Sequence, residues 1–102
     1  MNCKSCAKDF KHDKLTGHVA SISGSIMGDE CIESYYFCDE CQLYTLEVYF
    51  DYFSGHDVSN IYGPITKKEG DAKVDLIRHC RQPWNKKCRC TAHQTYFNRS
   101  LD

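Results

Sequence analysis

Cys38-Asp39-Glu40-Cys41-Gln42-Leu43-Tyr44-Thr45-Leu46-Glu47-Val48-Tyr49-Phe50-Asp51-Tyr52-Phe53 is the stretch on which the fold turns, because it runs a pair of closely spaced thiols directly into strand-period sequence. Tyr44, Leu46, Val48, Phe50 and Tyr52 make one unbroken apolar face, and Thr45, Glu47 and Asp51 stand among the residues opposite. Side chains of a strand alternate between two faces, so this is a strand with one side in a core.

Upstream, His18 to Met27 alternates in the same way, with Ala20, Ile22 and Ile26 against Ser21, Ser23 and Ser25. Gly24 falls on the apolar side, which marks a bulge or a close backbone approach. Gly28-Asp29-Glu30 reads as a turn, and Ser34 to Phe37 as the middle strand of a three-stranded antiparallel sheet. Downstream, Ser54-Gly55-His56-Asp57 breaks the third strand and Gly63-Pro64 punctuates the chain before the period changes. Thr66 and Glu69 have the spacing of a capping box, which starts a helix. Ala72, Leu76, Ile77 and Cys80 then form an apolar stripe, and Pro83 stops the helix by about residue 81. Thr91 to Arg99 can form a last short helix. The expectation is a single α+β domain, 1–102, with a β region over 1–63 and a helical Cys/His region over 64–102.

Eight cysteines in 102 residues demand a chemical reason. Cys3-Lys4-Ser5-Cys6 and Cys38-Asp39-Glu40-Cys41 each place two thiolates within reach of one ion, and together they supply a closed four-sulfur tetrahedron. A second set, Cys80, Cys88, Cys90 and His93, lies within fourteen residues and has the composition of a three-sulfur, one-nitrogen zinc site. Zinc is the expected metal, two ions in all; iron suits the same thiolates and is the alternative. Cys31 is left over, a free or buried thiol that could replace one of the assigned ligands, and His79 could substitute for Cys80.

The two Cys-x-x-Cys pairs with strands following both resemble a zinc ribbon with rubredoxin-like knuckles. The resemblance covers residues 3–53 and implies a structural metal closing the sheet. Ala7 and Gln42 stand where such knuckles usually carry glycine at positive φ.

A chain of this length gains little margin from burial alone, so a metal staple would help, and the metal-free form is expected to be at least partly unfolded. No segment has the apolar length of a membrane span or the h-region of a signal peptide, and the thiol spacing favours metal over disulfides; a cytoplasmic protein is expected. The net charge of −1 conceals segregation: residues 15–66 hold eight acidic residues and no Lys or Arg, whereas from Lys67 onward nine basic residues face four acidic ones. Both metal sites read as closed and structural, and no acid/base pair is placed for catalysis, so no enzyme is expected. A small adaptor or regulatory protein acting on another protein is the expected role, with a homodimer through the aromatic sheet face as one form of it. The runner-up is nucleic-acid binding through Arg78, Arg81, Lys86, Lys87 and Arg89 around Trp84, and a metal- or redox-handling protein is third. Trp84 itself reads as a packing anchor beside the second metal site.

Overall fold

The computed structural model describes residues 17–52, 55–98 and 101. Cys3, Cys6 and Ala7 of the first knuckle lie outside the described residues, and so does Phe53.

Among the described residues, four strands form one antiparallel sheet in sequence order: β1 His18–Ile26, β2 Asp29–Cys38, β3 Leu43–Asp51 and β4 Asp57–Thr66. Two helices follow, α1 Lys67–Arg78 and α2 Thr91–Tyr96. The expected α+β class holds, but the sheet has four strands rather than three. β4 occupies the stretch read from sequence as breaks, and it carries the β region past residue 63. Its pattern gave no signal because the strand is exposed along almost its whole length, so no face had to be apolar. It is held by its ladder to β3, Asp51 to Asp57 through Leu43 to Thr66, with an irregularity between Tyr44 and Leu46.

The first hairpin is tighter than expected. Met27 and Gly28, with φ of 53° and 86°, make a two-residue turn closed by the Ile26–Asp29 pair, so β2 begins at Asp29. Positive φ at both central positions matches the right-handed strand twist, which is why such turns close hairpins.

One face of the sheet carries Ala20, Ile22, Cys31, Tyr35, Tyr44 and Val48, and both helices pack on it, contributing Val74, Ile77, Tyr96 and Phe97. Two glycines set the approach. A Cβ on Gly24 would stand 2.6–2.8 Å from the Leu101 and Phe97 side chains, so the glycine marks close packing of side chains rather than a bulge or another backbone. One on Gly70 would stand 2.0 Å from the Tyr44 ring. α1 therefore docks through Gly70, Val74 and Ile77. That rotates its buried face away from the expected stripe: Ala72 is exposed and Leu76 half-buried. Thr66 caps α1 as expected, its hydroxyl accepting from the Glu69 amide at 3.2 Å.

A candidate metal centre on the outer edge of the sheet

Cys80 follows α1, Cys88 ends a loop, Cys90 is the N-cap of α2, and His93 lies in its first turn. α1 ends at Arg78 with His79 as its C-cap, short of the end near residue 81 that Pro83 would have allowed, and the loop then folds on itself through short turns. The Asn85 amide donates to the Gln82 carbonyl and the Cys88 amide to the Asn85 carbonyl, both at 3.0 Å. The Asn85 side chain ties the same turns, donating to Gln82 Oε1 at 2.9 Å and accepting from the Lys87 amide at 3.0 Å. The Arg89 guanidinium donates inward to the Lys86 and Cys88 carbonyls, each at 2.9 Å, so this cation staples the loop.

These constraints bring together all four residues of the second expected set. Their ligand atoms lie within 4.8 Å of one another and could hold a metal ion. Cys80 Sγ stands 3.7 Å from Cys88 Sγ, 3.4 Å from Cys90 Sγ and 3.2 Å from His93 Nδ1. A tetrahedron with metal–sulfur bonds of about 2.3 Å and a metal–nitrogen bond of about 2.0 Å has edges of roughly 3.8 and 3.5 Å. The observed spacings are those edges, slightly contracted, and the three cysteines carry free thiols.

The second nitrogen of His93 decides how the ring can act. Nε2 lies 2.5 Å from the Ser23 carbonyl, a pure acceptor, so Nε2 carries the proton and Nδ1 is left with its lone pair toward the sulfurs. His93 is fully buried, and an uncommitted ring nitrogen there would be costly. Ser23 also donates its amide to the Pro83 carbonyl at 2.7 Å. Both outward backbone groups of this edge residue are thus taken by the Cys/His segment, which shields the β1 edge against pairing with other chains.

Electrostatics separates the thiols. Burial pushes Cys80 up to about 12. Burial also pushes Cys90 upward, but amide donors from His93 and Ala92 and the neighbouring thiols outweigh it and hold Cys90 below the ordinary thiol value. A cation delivered into the cluster reverses the penalty at Cys80, since a metal favours the thiolate it binds.

His79 does not substitute for Cys80. It caps α1 on the exposed side, its Nδ1 within 2.7 Å of the Asp75 carbonyl. Cys31 is no substitute either: it is buried in the main core on the helix-covered face, and burial, then the nearby Glu33 charge, pushes its thiol up to about 12. Cys38 and Cys41 sit together in a separate small cluster with Tyr36 at the β2–β3 turn. Gln42 there has φ of 57° and donates its amide to the Cys38 carbonyl at 2.8 Å, taking the left-handed conformation that knuckles usually give to glycine.

Trp84 is not the anchor expected from sequence. It is 71% exposed, at the tip of the loop, with Arg81, Lys86 and Lys87 also exposed beside it in the chain. The loop is tied to the sheet at Pro83, whose carbonyl accepts from the Ser23 amide. Among the described residues, no helix is long and apolar enough to cross a membrane. Neither a family model, nor a curated protein, nor a solved structure matches this chain.

Proposed function

We propose that this chain is a zinc-stapled binding module whose working surface is the basic Trp84 loop, and that it binds single-stranded nucleic acid. The observation that carries the reading is the exposure of Trp84, the chain's one tryptophan, among exposed cations on a loop fastened at both ends. From Leu76 to Leu101 the chain has no acidic residue. An indole supplies a stacking face for any base and the cations supply phosphate contacts, a pairing characteristic of sequence-tolerant single-strand binding. The acidic residues gather elsewhere, with Glu30, Asp51 and Asp57 in line across β2, β3 and β4, so a polyanion is steered to the loop.

Zinc is the metal in this reading, because three thiolates and one imidazole form a closed set with no open position for substrate. A second zinc joins Cys38 and Cys41 to Cys3 and Cys6 in a ribbon-like knuckle, supported by the Cys38–Gln42 turn. The metals are structural, the chain has no catalytic role, and a reducing compartment such as the cytoplasm keeps the thiols available. The adaptor reading has less to stand on, since Tyr35 and Tyr44 of the aromatic face are buried beneath the helices.

Trp84 fluorescence during titration with a single-stranded oligonucleotide tests the proposal. Quenching is expected, with affinity falling as salt rises by a log–log slope of about −0.7 per phosphate contacted. Lys86→Ala with Lys87→Ala should reduce that slope, and Trp84→Ala, followed by the anisotropy of a labelled oligonucleotide because it removes the one tryptophan, should weaken binding by about 1–3 kcal/mol. Absence of binding at low salt, or binding indifferent to these changes, would sink the reading. Elemental analysis tests the metals: two zincs per chain should fall to one in Cys88→Ser.

A further inference from the structure

Glu33 interrupts an apolar row of the sheet. Its ladder neighbours are Ile22 and Val48, and Cys31 and Tyr35 flank it on the same face of β2; all four are buried. A carboxylate in such a row is costly unless something engages its charge. Tyr96 donates to Glu33 Oε1 at 2.5 Å, and the Tyr35 and Tyr96 hydroxyls bond at 2.8 Å, so Tyr35 donates in turn to Tyr96. Among the described residues the other oxygen, Oε2, meets only the Cys31 thiol, at 3.9 Å. Among the described residues the ion pairs are Lys67 with Asp71 and His79 with Asp75, and neither supplies Glu33 with a cation.

Glu33 opens onto a cleft of about 380 Å³ between the two helices. Tyr35, Leu46 and Tyr96 line it, with Glu69 and Lys73 one turn apart on α1. The volume is that of a compact small-molecule site, at the lower end of the usual range of roughly 300–1,000 Å³. The Lys73 ammonium stands 5.3 Å from the centroid of the Tyr96 ring, so the aromatic wall already receives a cation. Lys73 is exposed and its long stem can swing away to solvent. Burial, and then the Glu33 charge, holds Tyr96 well above the ordinary phenol range, which keeps it a hydrogen-bond donor to the carboxylate.

We propose that this cleft binds a small organic cation, a protonated amine on a compact apolar body, with Glu33 as its counter-ion and the Tyr96 ring beneath the ammonium. Leu46 and the Tyr35 ring take the apolar body, and Glu69 adds a second negative charge at the site. The ligand ammonium replaces that of Lys73 over the ring. The cleft is separate from the Cys/His cluster and the Trp84 loop, and its occupancy requires neither reading above.

The test uses three probes of one shape, 2-phenylethylamine, 2-phenylethanol and 3-phenylpropionate, titrated into the metal-loaded full chain and followed by NMR. The amine should move the Tyr35 and Tyr96 ring signals saturably, with the alcohol and the acid at least about tenfold weaker, the factor expected for one charge-assisted hydrogen bond. Glu33→Gln keeps the shape and the acceptor for Tyr96 and should weaken the amine by about the same factor. Lys73→Ala should leave amine binding intact or tighten it. The proposal is overturned if millimolar amine produces no saturable shift, if alcohol or acid binds as well, if the shifts centre on Asp51 and Asp57, or if Lys73→Ala abolishes binding. Should Glu33→Gln not fold, the three-probe comparison on the unaltered chain decides alone.

Discussion

Asp71 shows how one side chain can join a helix to the sheet. Its carboxylate accepts from Lys67 Nζ at 2.7 Å, one turn earlier on α1, and from the Tyr44 hydroxyl at 2.5 Å. Those two donors, Lys67 first, hold Asp71 below the ordinary carboxylate range. A pKa lower in the folded than in the unfolded chain gives stability that is present above about pH 4 and lost as pH falls through the folded value. The urea midpoint of Asp71→Asn should therefore lie below that of the unaltered chain at pH 6, with the gap closing as both are taken toward pH 2. A gap independent of pH would mean that Asp71 acts through shape rather than charge. At this scale the residue types of the candidate metal centre were legible, because Cys and His have few other reasons to gather. The tautomer of His93 was not, since it depends on a carbonyl seventy residues away at Ser23. Glu33 carried a faint signal, an acid between Cys31 and Tyr35 at strand period, which alternation alone does not distinguish from an exposed position.

Helix α1 is the element where local and tertiary preferences oppose each other. Gly70 lowers helix propensity by about 1 kcal/mol relative to alanine, so an exposed glycine there would be improved by substitution. Gly70 is buried against the Tyr44 ring, and Gly70→Ala should instead destabilise the fold by about 1–3 kcal/mol, the cost of overpacking a filled core. Chemical denaturation measures the sign directly, and a stabilised variant would mean that α1 does not dock through this position. Thr66→Ala removes the N-cap bond and should cost about 1 kcal/mol in the same experiment. The cap was readable because it is a contact over three residues. The buried stripe was misread by a rotation of the helix, since hydrophobicity marks the largest side chains while close packing selects the smallest. β4 escaped for a related reason: a strand exposed at a sheet edge obeys backbone pairing and leaves no hydrophobic period.

The whole molecule combines a packed sheet-and-helix core with a segment tied to its edge by the Cys/His cluster. Cys80→Ser should release that tie while leaving the β2–β3 ladder intact, because Ile22, Tyr35, Tyr44 and Val74 bury one another without it. Hydrogen exchange should then speed up at the Ser23, Cys88 and Gln94 amides and change little at Tyr35 and Leu46; uniform loss of protection would mean that the metal holds the entire fold. The sequence by itself determined the α+β class, the first three strands, the start of α1 and the four residues of the Cys/His cluster, since period, capping and ligand spacing act over short distances along the chain. Only the tertiary structure decided that Trp84 is exposed, that α1 docks through a glycine, that β4 completes the sheet, and that Glu33 opens into a cleft. Each of those depends on which surfaces meet, and that is settled by packing between segments far apart in the chain.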